Sequence, residues 1–247
     1  MKIGILGAGS IGATLARKLS GAGHEVKVAN SRGPETISSD IVAAGARPVE
    51  AIDVVTDVDV LITSIPLSRM PEVKPLIATL PANAVIVDTS NYYPLRDGRV
   101  EALDDGKVES VWITEQLGRP VAKAWNAITA GSFEADGRTA GDPNRIAIPV
   151  AADRDHDKAV AMALVEETGF DAVDAGSLAD SWRQQPGAPS YCTDLTRQKL
   201  TEALAAADKA RLPQRRDIVI SAITERFTSY TDVSVDYLVQ LNRAIYS

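Results

Sequence analysis

Lys2-Ile3-Gly4-Ile5-Leu6-Gly7-Ala8-Gly9-Ser10-Ile11-Gly12 is the stretch on which the fold turns. A short apolar run ends in G-x-G-x-x-G, and beyond it Ile11, Leu15 and Leu19 recur every four residues, which places them on one face of a helix. Gly21 and Gly23 stop that helix before a second strand-like run, Val26 to Asn30. Strand, glycine turn, helix and strand in this order form a βαβ unit, the context that separates a phosphate-binding turn from an ordinary glycine loop. In such a unit the first glycine permits the tight turn. The second lets backbone approach a diphosphate, and the third lets the helix pack closely on the strand. The helix N-terminus adds unpaired N–H groups and a partial positive charge.

Working outward, strand-length apolar runs alternate with helix-period segments through about residue 175. Further strands are expected at Arg47 to Glu50, Val58 to Ser64, Val85 to Thr89, Val121 to Trp125, Arg145 to Val150 and Phe170 to Asp174, with a helix from about Asp155 to Thr168 between the last two. This rhythm predicts an α/β fold, a doubly wound and mostly parallel Rossmann sheet. After Asp174 it stops. A stretch punctuated by Gly and Pro, Gln184 to Ser190, leads to helical patterns near Asp194 to Ala210, Gln214 to Phe227 and Val233 to Ile245. The expected organisation is a nucleotide-binding domain over 1–178 and a helical C-terminal region over 179–247, which covers a site, forms a homodimer contact, or both.

The tip of the second strand selects the dinucleotide. An NAD site usually places Asp or Glu there, about 20 residues beyond the glycines, to accept from the ribose 2′-hydroxyl. This chain instead has Asn30-Ser31-Arg32-Gly33. No carboxylate stands at that place to repel a 2′-phosphate, Ser31 can donate to one, and Arg32 can pair with it while stacking on adenine. The expected cofactor is NADP(H), held by Gly7, Gly9, Ser10, Ile11, Gly12, Asn30, Ser31 and Arg32.

Composition narrows the alternatives. A chain of 247 residues with a formal net charge of −7 lacks the basic surplus that non-specific nucleic-acid binding needs. One cysteine, Cys192, excludes an internal disulfide and a cysteine-rich metal site. No window approaches the roughly 20 apolar residues of a membrane span. The expectation is a cytoplasmic protein acting on a small molecule, with neither nucleic acid nor membrane as partner and no metal.

Gly7 to Gly12, Asn30-Ser31-Arg32-Gly33-Pro34, Ser64-Ile65-Pro66, Asp88-Thr89-Ser90-Asn91 and Lys123-Ala124-Trp125-Asn126 together resemble the F420-dependent NADP oxidoreductase family. That family belongs to the phosphogluconate-dehydrogenase-like Rossmann group and is similar to the cytosolic domain of transmembrane ferric reductases. The likeness is strongest over residues 1–130. It implies hydride transfer between NADPH and the deazaflavin coenzyme F420, with the protein aligning two rings and excluding water, so that no catalytic triad is required. It also implies that Ser64, Ile65 and Pro66 border the pyrophosphate and nicotinamide ribose, and that Asn126 bonds near the nicotinamide. Thr89, Ser90 and Asn91 follow by the same logic. The tail beyond Gly176 is longer than in compact deazaflavin enzymes, and Ser181 to Gly187 matches no motif. This leaves open an imine, ketone or hydroxy-acid reductase, or a module that senses NADP(H) without turnover.

Few other groups suit acid–base work. His24 and His156 are the two histidines, the first expected between helix and strand and the second at a helix start amid Asp153, Asp155 and Asp157. Lys123 and Asn126 are the possible assistants to hydride transfer, with the Lys123 side chain expected to face either solvent or the site. Trp182, Arg183 and Tyr191 are expected to pack in the core or an interface, or to line an aromatic pocket. Cys192 lacks a basic neighbour in sequence and is not expected to be a nucleophile.

Overall fold

The computed structural model describes residues 1–228 and 232–247. Eight strands form one sheet: β1 (Lys2–Leu6), β2 (Glu25–Ala29), β3 (Arg47–Pro48), β4 (Val60–Thr63), β5 (Val85–Asp88), β6 (Ala122–Lys123), β7 (Ala147–Ala152) and β8 (Asp171–Asp174). Their order is β3-β2-β1-β4-β5-β6-β7-β8. Strands β1 to β6 are parallel, in the α/β Rossmann arrangement expected from the sequence. Strand β7 runs antiparallel to β6, and β8 parallel to β7. The connection between β6 and β7 carries the six-residue helix Ala130–Ala135.

The sheet is covered on both faces, and the strands alternate accordingly. Val60 and Ile62 of β4, with Val85 and Val87 of β5, face Ile3, Ile5, Leu15, Leu19, Phe133 and Phe170. Between them Leu61 and Ile86 point the other way, toward Trp112, Ile113 and Leu178. Helix α1 (Ser10–Gly21) buries Leu15 and Leu19 as its spacing requires. A second helix, α2 (Glu109–Leu117), lies on the opposite face, and its residues 109 and 110 are a buried Glu and Ser. These polar residues interrupt the apolar period, so nothing in the sequence pattern announced the helix. Helix α3 (Asp155–Glu167) packs on β7 and β8 as anticipated.

The packing runs on past residue 178, where a domain boundary was expected. Leu178 is buried in the second face of the sheet, Thr196 bridges Ile146, and α4 (Arg197–Ala206) adds Leu200 and Leu204 to Ala147 and Val173. A separate cluster begins with α5 (Leu212–Arg226) and α6 (Val235–Tyr246), whose Leu212, Val219, Ile223, Leu238 and Tyr246 close over Ala127, Ala188 and Tyr191. Ile218 of α5 is exposed. Among the described residues no helix is long and apolar enough to cross a membrane.

Phe133 and Phe170 join α1, the β6–β7 connection and β8, with ring centroids 5.4 Å apart and the Lys18 ammonium over both. Phe133→Ala is expected to cost about 3 to 5 kcal/mol of stability, measured by denaturant unfolding.

Candidate functional site

The chain reverses direction across the sheet between β1 and β4, and the turn Gly7–Gly12 lies at that switch point. Gly7 adopts φ +110°, and its N–H donates to the Ala29 carbonyl at 2.8 Å. A Cβ on Gly7 would stand 2.1 Å from the Ser64 carbonyl oxygen, and one on Gly12 would stand 1.9 Å from that of Gly7. Gly9 differs: a Cβ there meets nothing within 4 Å. Gly9 caps α1 without a side-chain hydrogen bond, the first turn holds no acid, and Gly9 and Ser10 are exposed. The first N–H groups of the helix therefore face open space with their partial positive charge uncompensated, an arrangement that fits a diphosphate.

At the tip of β2 the loop organises itself. Asn30 accepts from the Arg32 backbone N–H at 2.9 Å through Oδ1 and donates to Thr36 Oγ1 at 2.8 Å through Nδ2. Expected as a cofactor contact, Asn30 thus has its amide engaged in shaping the turn. Ser31 and Arg32 are exposed, and among the described residues the Arg32 side chain has no hydrogen bond or ion pair. Ser64 and Ile65 lie against Gly7 as the C-terminal end of β4, and Pro66 is exposed beside them.

Farther along the same edge, Asn126 is held on all sides. Its Nδ2 donates to Asn91 Oδ1 at 3.0 Å and to the Gln184 carbonyl at 2.8 Å. Its Oδ1 accepts from Gln184 Nε2 at 2.8 Å, and its backbone carbonyl accepts from Asn91 Nδ2 at 2.9 Å. The preceding Trp125, fully buried, adopts φ +56°, a conformation rare for a bulky side chain and held here by its surroundings. Gln184 was missed in the sequence, where it sits in the stretch without a motif; only the fold carries that stretch back to β6.

Beside this amide network lies a cavity of about 830 Å³. Ile11, Thr89, Asn91 and Asn126 form its sheet side, and Val219, Ile223 and Leu238 of α5 and α6 form its cover. It joins the start of α1 to the strand ends, the region where doubly wound sheets hold their ligands. Tyr191 and Cys192 line it, whereas Trp182 packs with the tail cluster under the Arg183 guanidinium, 4.4 Å from its ring centroid. Burial pushes the Cys192 thiol far above its ordinary range, so it stays protonated.

Lys123 faces neither solvent nor cavity. It is fully buried with Nζ 2.6 Å from Asp88 Oδ2, and it also donates to the Ser90 carbonyl. Asp88 in turn accepts from Thr63 Oγ1 at 3.1 Å and Ser90 Oγ at 3.0 Å. The pair fixes the β5 end from which Asn91 projects, and Lys123 is not an accessible proton donor. His24 bridges the N-terminal ammonium and Glu167, and His156 is exposed on the first turn of α3; neither reaches the cavity.

Glu109, unanticipated in the sequence, lies buried at the start of α2. Burial raises its carboxyl to about 7, against the opposing pull of Lys123 and of the Tyr92 backbone N–H. Among the described residues its Oε2 has no hydrogen-bond partner.

Residues 2–92 match the family described as NADP oxidoreductase, coenzyme F420-dependent. The Escherichia coli (strain K12) protein YjhV is 47% identical over 77 residues, which is 30% of this chain and 56% of YjhV. The match thus spans little more than half the length of that curated relative. Among solved structures, the hypothetical protein SMa0349 from Sinorhizobium meliloti is 26% identical with a TM-score of 0.69, over 79% of this chain and 95% of that one. A protein from Arthrobacter sp. FB24, provisionally described as an F420-dependent NADP-reductase, is 20% identical with a TM-score of 0.57, over 73% and 87%. This second likeness shows the shared fold. The fold is an α/β arrangement of the Rossmann type. Over residues 2–92 the chain is similar to the F420-dependent NADP oxidoreductase family.

The Glu109 carboxyl gives a test of the buried charges. Its value of about 7 in the folded chain exceeds the ordinary 4.5, so the native state takes up a proton between these limits and loses stability as pH rises through them. Glu109→Gln is expected to melt like the wild type near pH 4.5 and above it at pH 8, with the gap opening between the two. A gap independent of pH would refute this.

Proposed function

We propose that the protein is an NADPH-dependent oxidoreductase that moves a hydride between NADP(H) and a planar acceptor held in the cavity, the deazaflavin coenzyme F420 being the first candidate. The observation that carries this reading is the single edge on which the uncapped helix start, the Asn91–Asn126–Gln184 network and the cavity of about 830 Å³ follow one another. The family description over residues 2–92 supports it.

When bound, the nicotinamide supplies the hydride chemistry; the chain supplies position and exclusion of water. Gly9, Ser10 and the first N–H groups of α1 would hold the diphosphate, with Ser64, Ile65 and Pro66 along its flank. Ser31 and Arg32 would hold the 2′-phosphate, with the Glu35 carboxylate lying over the neighbouring Gly33. Asn126 is pre-oriented by its neighbours, so it meets a carboxamide or ribose without first losing rotamer freedom. The apolar cover of α5 and α6 keeps water from the reacting carbons. The alternative reductase of hydroxy acids loses its visible proton donor, because Lys123 is sealed in an ion pair.

Two substitutions test the cofactor assignment. Arg32→Ala is expected to weaken NADPH about ten- to a hundredfold, the loss of one charged hydrogen bond, and to leave NADH unchanged, as read by nicotinamide fluorescence. Gly9→Ala is expected to weaken both cofactors with a fall in stability of no more than about 1 kcal/mol, since its Cβ enters only the open space at the helix start. Incubation with NADPH and F420, followed by nicotinamide absorbance, tests the acceptor, and binding without oxidation would exclude F420.

A further inference from the structure

The cavity must do more than hold a ring. Reduction of a conjugated carbonyl requires a proton as well as a hydride, and the lining residues limit its source. Among the described residues the lining contains no histidine, lysine or glutamate. Asp217 pairs with Arg216 at 2.8 Å, and Cys192 is pushed toward the thiol. Both lining cations are already occupied: Arg216 by Asp217, and Arg96 by Asp97 at 2.8 Å and the Asn91 carbonyl at 2.5 Å. Each of these charges is already balanced in part by its neighbouring aspartate, which lowers its pull on a substrate carboxylate or phosphate.

The remaining acids are phenols, and two of them are arranged together. The hydroxyls of Tyr93 and Tyr191 are 2.8 Å apart, and the Arg96 guanidinium lies 5.4 Å from the Tyr93 ring centroid. Both segments are anchored to the amide network: Tyr93 stands two residues beyond Asn91, and the Cys192 N–H donates to the Ala127 carbonyl at 2.9 Å, next to Asn126. Resting on the oxidoreductase reading above, we propose that the Tyr93–Tyr191 pair is the proton donor of this site and that the part of the acceptor enclosed in the cavity is an uncharged flat ring system with a conjugated carbonyl.

The step balances. The electrophilic carbon of the acceptor gains a C–H bond with the electron pair of the C–H bond broken at the dihydronicotinamide. The electron pair of the carbonyl π bond moves to oxygen, which takes the proton of one tyrosine hydroxyl. The acceptor is reduced by two electrons and NADPH is oxidised to NADP⁺. The tyrosinate that remains accepts a hydrogen bond from the second hydroxyl beside the Arg96 charge, and a solvent proton restores it when product leaves.

The probes are menadione, its charged relative 1,4-naphthoquinone-2-sulfonate, and N-methylacridinium, which takes a hydride without needing a proton. By calorimetry on the NADP⁺-saturated protein, menadione is expected to bind at least about tenfold more tightly than the sulfonate. In single turnovers with NADPH, Tyr93→Phe and Tyr191→Phe are expected to slow menadione reduction by roughly 10²- to 10⁴-fold. NADPH affinity, melting temperature and N-methylacridinium reduction are expected to stay at wild-type levels. Wild-type menadione rates in both variants, equal loss with both acceptors, or equal binding of the sulfonate would overturn the proposal while leaving the oxidoreductase reading in place. Bound NADPH that none of the three probes oxidises would overturn the proposal, and bound NADPH that F420 also leaves unoxidised would overturn both readings.

Discussion

The close approach of three backbone segments at one point governs this molecule. The Gly7 carbonyl lies where a side chain on Gly12 would be, and the Ser64 carbonyl lies where one on Gly7 would be. Strand β1, helix α1 and the end of β4 are thereby locked at distances that only hydrogen atoms can fill. This fixes the axis of α1, and with it the direction in which its free N–H groups point. Every other element of the site is positioned relative to that corner: the β2 tip through the Gly7–Ala29 hydrogen bond, and the ends of β5 and β6 through successive parallel pairs.

A second constraint comes from polar groups placed where water cannot reach. A buried ion pair such as Lys123–Asp88 is weak support for stability, because desolvation offsets much of its attraction. Its effect is geometric. Together with Thr63 and Ser90 it holds the β5 end, from which Asn91 reaches Asn126, while Gln184 closes the set from the far side. Such a network has few alternative arrangements. It presents one preset polar edge to a cavity that is otherwise mostly apolar.

Much of the fold was legible because the core imposes period and punctuation. Short runs rich in apolar residues placed each strand within about two residues of its observed limits, and Leu15 and Leu19 marked α1. The glycine turn was legible because Gly7 and Gly12 answer steric needs visible in the spacing alone. What stayed hidden depends on residues far apart in sequence. Glu109 and Ser110 masked α2, since a buried carboxyl and hydroxyl look like surface residues until the packing is known. Gln184 and Tyr191 acquire meaning only when the chain beyond β8 returns to β6. Lys123 illustrates the converse: strand alternation alone could not say that its inward face met Asp88 rather than a ligand.

The most direct measurement is a crystal structure of the protein grown with saturating NADP⁺. The account predicts a diphosphate on the first N–H groups of α1, the 2′-phosphate between Ser31 and Arg32, and the nicotinamide beside Asn126 at the inner end of the cavity. A coenzyme bound elsewhere, or a glycine corner left empty at saturation, would contradict it.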